Sequence, residues 1–282
     1  MKTTPLRGWR RVASAMWHAP NDPQIFGALD IDARPIRALI AQATIAGHRL
    51  TPTHVVGRAV AHALFQVPEL NTHIAFGRSR EHPTIDVFFI ASVGKGNDLS
   101  GVKIRDAGGK SVVEIADELN ERGHALKNGR DKNFARSKKL TNAVPSLLLR
   151  PLLRASAFLT ETLDLDLKPL GLERRPFGSA MVTSVGMFGL PHGFAPLAWM
   201  YGVPLLVLVG ELTTKAIVVD GRIEAREMLP ITATIDHRYV DGAQIARAMK
   251  AFREYLAAPL EFEPPLEKIG PTERSVRLAG EL

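Results

Sequence analysis

Ile231-Thr232-Ala233-Thr234-Ile235-Asp236-His237-Arg238-Tyr239-Val240-Asp241-Gly242-Ala243-Gln244 is the stretch from which the fold can be read. The β-branched run Ile231–Ile235 predicts a buried strand. Asp241-Gly242-Ala243-Gln244 resembles a capping box. The helix it opens would bury Ile245, Met249, Phe252 and Leu256 and stop at Ala258-Pro259. His237 therefore falls on a short connection between strand and helix, at a sheet edge on rigid backbone. Histidine is the usual base near neutral pH. By spacing alone, the same pattern also fits a surface histidine followed by an ordinary helix cap.

Working outward, Lys215–Val219 and Arg222–Arg226 flank Asp220-Gly221, a strong hairpin signal. Ala180–Val185, Pro204–Val209 and Ile85–Val93 read as further buried strands. Gly178 to Gly186 sets the hydroxyls of Thr183 and Ser184 at the end of an apolar strand, before a glycine-rich turn. A hydroxyl there can donate to a developing oxyanion; a plain strand end is the other reading. Asp32–Ala46 has helical spacing, Thr51-Pro52 opens the next helix, and Ser111-Val112-Val113-Glu114 is a capping box. Residues from about 129 to 176 give no strand signal and read as a helical insertion. Within it the leucine-rich run Ser146–Thr160 is broken by Arg150, Pro151 and Arg154 and is too short to span a bilayer. A core or interface helix is expected there, and a membrane-surface role is not. The charged tail from 260 to 282 is expected to pack loosely. One α/β domain over residues 1–282, with a core at about 5–259, is the simplest organisation.

The 282 residues include no cysteine, so any thiol in the chemistry belongs to a substrate. Hydrophobic residues at 45% and charged residues at 23% are a globular balance. The net charge of +7 suits anionic partners. Its densest stretch, Arg122–Lys139, has one aromatic residue, Phe134, and makes a poor base-stacking platform, so nucleic acid is not expected. No His-Glu-x-x-His pattern calls for a metal. Gly109-Lys110-Ser111 lacks the earlier glycine of a phosphate-binding loop, since residue 104 is Ile104. The N-terminal segment is basic without a continuous apolar core, so a cytoplasmic location is expected.

Together, Asp236-His237-Arg238-Tyr239-Val240-Asp241-Gly242 and the Thr183 segment resemble the catalytic domain of 2-oxo acid dehydrogenase acyltransferases, within the chloramphenicol acetyltransferase-like superfamily. The family's terminal signature is Asp-His-Arg-x-x-Asp-Gly. Val67-Pro68-Glu69-Leu70-Asn71, Val102–Ala107 with Lys110-Ser111, and Pro5–Val12 match further family segments, so the likeness covers most of residues 5 to 259. It implies a mixed β-sheet flanked by helices, a two-layer sandwich, assembled as a homotrimer with sites between subunits. It implies coenzyme A as acyl-CoA substrate, and a lipoyl group only if a partner protein supplies it. His237 becomes the general base. Thr183 stands where the family has its oxyanion serine, with Ser184 as the alternative donor. Asp241 becomes a structural residue paired with Arg10, and Gly242 supports the same turn. No lipoyl or subunit-binding domain is recognisable. An O-acetyltransferase of a small hydroxyl acceptor and a non-catalytic trimeric assembly protein are the alternative readings.

Overall fold

The computed structural model describes residues 22–93, 98–127, 146–167, 172–197 and 202–266. In chain order the elements are β1 (Gln24–Asp32), α1 (Arg34–Ile45), α2 (Pro52–Gln66), β2 (Thr72–Ala75), β3 (Arg78–Glu81), β4 (Val87–Val93), β5 (Asp98–Ile104) and α3 (Val112–Lys127). There follow α4 (Ser146–Ala157), β6 (Ala180–Ser184), β7 (Leu205–Val209), β8 (Thr213–Val219), β9 (Arg222–Asp236), α5 (Gly242–Ala257) and the short α6 (Pro259–Phe262).

The main sheet runs β1-β9-β7-β6-β4-β5, with β8 also on β9; β2 and β3 form a separate hairpin. The β7–β6 and β6–β4 pairs are parallel and the rest antiparallel, so the sheet is mixed, as expected. Side chains alternate across it. Ala180, Val182, Val207, Val209, Leu229 and Ile231 pack with residues of α1, α2, α3 and α5 into one core. Met181 and Leu206 face the opposite way, under Val203, Phe88, Phe177 and Leu197. Helices thus cover one face and loops part of the other.

The capping predictions hold. Thr51 Oγ1 accepts from His54 N while His54 Nδ1 accepts from Thr51 N, and Ser111 and Glu114 exchange the same pair of bonds. Three expectations change. The strands at Arg222–Arg226 and Ile231–Ile235 are one, β9, running through Pro230. Proline lacks the N–H a ladder uses, but the Pro230 carbonyl, and so the position of its missing donor, faces the place where β9 passes from β7 to β8; there Gly210 N donates to it at 2.9 Å. Second, the expectation of a core or interface helix narrows: the insertion does contain a helix, α4, and its described leucines lie outside the main core. It runs on directly into the π-helical turn Phe158–Thr162, with Leu148 and Leu152 exposed. Third, the tail's first residues are fixed: Glu263, 9% exposed, accepts from Val112 N at 2.6 Å and Tyr255 Oη at 2.8 Å, with Arg58 Nε 3.2 Å away.

Gly57 brings α2 against β4. A methyl there would stand 2.2 Å from Phe89 Cζ. Alanine is the better helix former by roughly 1 kcal/mol, whereas overpacking a filled core costs about 1–3 kcal/mol. At this separation the clash wins, so Gly57→Ala is expected to lower the urea midpoint; an unchanged or raised midpoint would contradict the packing.

Candidate active site

The end of β9 is pinned from three sides. Asp236 N donates to Pro204 O at 2.9 Å, and His237 N donates to Pro23 O at 2.8 Å. Tyr239 N closes a turn onto Asp236 O at 3.1 Å. The Asp236 carboxylate, in a residue 6% exposed, accepts from Arg238 N at 2.9 Å and Nε at 3.0 Å, and from Nη2 at 2.6 Å. That bond raises the Arg238 guanidinium's pKa further. His237, between these two, is exposed. The backbone carrying it is fixed and the imidazole is left to solvent. Asp236 was read in the sequence only as part of a signature; its grip on Arg238 adds a role that the motif's spacing did not disclose.

Asp241 is exposed and caps α5, accepting from Ala243 N at 2.9 Å, while Gln244 Oε1 accepts from Asp241 N at 3.1 Å. Arg10, its expected partner, lies outside the described residues. At Gly242 a Cβ would meet no atom within 4 Å, so nothing among the described residues crowds that position.

Thr183 and Ser184 close β6. Alternation sends Thr183 to the face of Met181, away from the helices, and Ser184 toward the helix layer. Among the described residues neither hydroxyl has a hydrogen-bond partner. The sheet register separates them from His237. Thr183 pairs with Leu208, which pairs with Thr232, and His237 lies beyond the end of β9. Five residues of strand amount to about 17 Å, and the two-strand step adds roughly 10 Å sideways. One chain does not bring its own Thr183 and His237 to the same atom. Around the Thr183 end, Met187, Phe188, Leu190 and Phe194 are exposed, and Phe194 meets exposed Phe26 edge-on at 5.3 Å.

A buried polar group escaped the sequence reading. His73 and His82 stack at 5.3 Å. His82 Nδ1 contacts Arg175, which also grips Asp164 at 2.6 and 2.7 Å. Burial and the neighbouring Arg175 push the His82 pKa down to about 4. Glu161 stands nearby against Gly202, where a methyl would lie 2.5 Å from Glu161 Oε2. Burial pushes its carboxyl up to about 8. Among the described residues, both nitrogens of His73, His82 Nε2 and Glu161 Oε1 are buried without a hydrogen-bond partner. These residues come from four distant segments, so no local pattern could have joined them.

Comparison with known proteins bears on the same residues. The model of the family "2-oxoacid dehydrogenases acyltransferase (catalytic domain)" matches residues 1–135 and 170–263. The dihydrolipoyllysine-residue acetyltransferase component of the acetoin cleaving system of Bacillus subtilis is 26% identical over 90% of this chain and 55% of its own length. The corresponding component of the pyruvate dehydrogenase complex of the same organism is 29% identical over 76% of this chain and 39% of its own length. The chain thus spans about half or less of these curated relatives. Among solved structures, a probable dihydrolipoamide acetyltransferase from Listeria monocytogenes superposes with TM-score 0.61 at 21% identity, over 91% of this chain and 94% of that one. The Azotobacter vinelandii dihydrolipoamide acetyltransferase gives 0.60 at 20% identity, over 91% of each. These likenesses establish the fold. Among the described residues no helix is long and apolar enough to cross a membrane.

The buried acid makes a pH prediction. Glu161 ionises near its ordinary range when unfolded and only near 8 when folded, so rising pH between these values favours the unfolded chain. His82 acts in the opposite sense: stability falls as pH drops from its ordinary range toward 4. Glu161→Gln removes only the first effect. Its melting temperature is expected to gain on the wild type steadily from about pH 5 to pH 8. A constant difference across that range would mean that Glu161 is not a buried neutral acid.

Proposed function

Because the chain belongs to the 2-oxoacid dehydrogenases acyltransferase (catalytic domain) family, we propose that it is an acyltransferase that moves an acyl group between coenzyme A and a thiol of the dihydrolipoyl type. The observation that carries this reading is the fixed turn at the end of β9, which leaves His237 exposed on immobile backbone.

In the reaction, neutral His237 takes the S–H proton of the attacking thiol as sulfur bonds to the thioester carbonyl carbon. Thiolate is the effective nucleophile. Thr183 Oγ donates to the carbonyl oxygen as it becomes an oxyanion, and losing such a donor typically costs roughly 10²–10³ in rate. When the tetrahedral intermediate collapses, the second thiolate leaves and His237 returns the proton to it. The acyl group has changed sulfur and no proton is gained or lost. Thr183 is preferred to Ser184 because it faces away from the helix layer, where a second molecule can reach it.

The separation of Thr183 from His237 supports a site made by two copies, His237 from one and Thr183 from the next. A homotrimer closes such a head-to-tail contact, and the exposed Phe26, Phe188 and Phe194 supply apolar surface for it. Asp241 holds the start of α5, and its second oxygen suits a pairing with Arg10.

Two measurements test this. His237→Ala and Thr183→Val should each lose at least roughly a hundredfold in kcat for acyl-CoA to dihydrolipoamide transfer, while Thr183→Ser retains activity. If the site is shared, co-assembling the two dead variants should restore up to about a quarter of the sites, since some interfaces then pair an intact histidine with an intact threonine. Activity in a monomeric wild type, or no recovery in a verified mixed trimer, would remove the shared site. Activity of the wild type toward a hydroxyl acceptor alone would favour an O-acetyltransferase.

A further inference from the structure

Glu161 lies between residues 135 and 170, where the family model has no match. It is carried by the π-helical turn Phe158–Thr162, which runs along β2. Such turns are rare and concentrate at functional sites. Glu161 stands close to two groups that hold the His237 turn. The first is Gly202, in the left-handed region at φ +62°, where a Cβ would be 2.5 Å from Glu161 Oε2 and 2.8 Å from its Cδ. Two residues on, the Pro204 carbonyl accepts from Asp236 N, one of the bonds that fix the end of β9. The second is Tyr239, whose N–H closes that turn onto Asp236 O. The Tyr239 phenol meets the Ile74 backbone on β2; burial raises its pKa, and Glu161 adds to the rise.

The cations that act on Glu161 are bonded elsewhere. Arg175 grips Asp164 at 2.6 and 2.7 Å. Lys103 holds Glu173 at 2.8 Å and donates to the Arg175 carbonyl at 2.8 Å. Asp164 adds like charge. His73 and His82, on the hairpin that includes β2, are kept below the ordinary histidine range by burial. Glu161 Oε1 is buried and, among the described residues, has no hydrogen-bond partner. An ionised carboxylate there is left uncompensated, whereas a protonated one fits.

We propose that Glu161 is a positioning residue: as an uncharged acid packed against Gly202 and beside Tyr239, it holds the turn that presents His237 to the acyl-transfer reaction. This rests on the reading of His237 as the general base. Ionisation draws the carboxylate toward water, releases Gly202 and slackens the turn. Misplacing a reacting group by about 1 Å can cost roughly 10²-fold in rate. Because Glu161 acts through the turn, its effect falls on kcat more than on KM.

The test reads kcat against pH for acyl-CoA to dihydrolipoamide transfer, together with amide hydrogen exchange of residues 236–240 corrected for its intrinsic pH dependence. Wild-type kcat is expected to rise as His237 loses its proton, then to fall above about pH 8 as Glu161 ionises. One unit above that value the fall is roughly tenfold. Glu161→Gln keeps the shape and the neutrality, so it retains kcat at pH 7 and shows no alkaline fall. Glu161→Ala is expected to lose about tenfold in kcat at pH 7 with KM unchanged. Exchange in the turn rises about tenfold in that variant, and in the wild type above pH 8, but not in Glu161→Gln. An alkaline fall that Glu161→Gln shares with the wild type overturns the proposal, and so does turn exchange that is equal in all three proteins. The comparison of wild type with Glu161→Gln decides alone if the alanine variant does not fold. Failure of the catalytic reading looks different: the wild type transfers no acyl group at any pH, or His237→Ala transfers as fast, while exchange still separates Glu161→Ala from the other two.

Discussion

The hydrogen-bond ladder of β9 is the constraint on which the rest of the molecule depends. This 15-residue strand pairs with β1 along one side, and with β8 and then β7 along the other. Each of those pairings fixes a register, and a slip of one residue would turn Leu229, Ile231 and Ile235 out of the core. The ladder also fixes where the strand ends. Asp236 is its last residue, paired opposite Gln24, and the Pro23 and Pro204 carbonyls that hold the turn belong to the lead-ins of the two flanking strands. The position of His237 is thus a consequence of sheet register more than of any contact made by its own side chain.

The two ends of the sheet divide the labour. At the β9 end the polar groups are satisfied by short-range bonds, Asp236 with Arg238 and Asp241 with the first turn of α5. At the far end, β6 stops at two hydroxyls without partners among the described residues, next to large exposed apolar side chains. The first end has the character of a finished surface carrying an exposed histidine, and the second that of a surface rich in exposed apolar side chains. A chain folded this way presents an exposed histidine at one end of the sheet and two hydroxyls at the other.

Much of this was legible because it is local. Asp220-Gly221, the Thr51 cap, the two capping boxes and the strand–histidine–helix order are all encoded within a few residues of where they act, and the structure reproduces them. Non-local features were not legible. β1 went unread because both its faces carry apolar residues: Ile25, Leu29 and Ile31 pack with the core while Phe26 and Ala28 face outward, and the period-two contrast is lost. β9 was divided because Pro230 reads as a strand breaker, and only the change of neighbour opposite it explains why it is tolerated. The Leu-rich α4 was read as a core or interface helix; composition alone cannot distinguish a buried stripe from an exposed one. His73, His82, Glu161 and Arg175 have no shared pattern at all until the chain is folded.

Glu263 sits three residues from the end of the described chain, yet it joins three helices: Arg58 of α2, the first N–H of α3 at Val112, and Tyr255 of α5. During synthesis on the ribosome the first two are made long before the carboxylate that links them. Until residue 263 clears the exit tunnel, the start of α3 lacks its acceptor and the Arg58 charge lacks its counter-ion, in a layer that must become dry. β1 waits in the same way for β9. The order of translation therefore runs against the order of closure, and the N-terminal half spends most of its synthesis with an open sheet edge and an unlocked helix layer. For this chain, the helix layer is locked only after β9, α5 and the segment carrying Glu263 have been made.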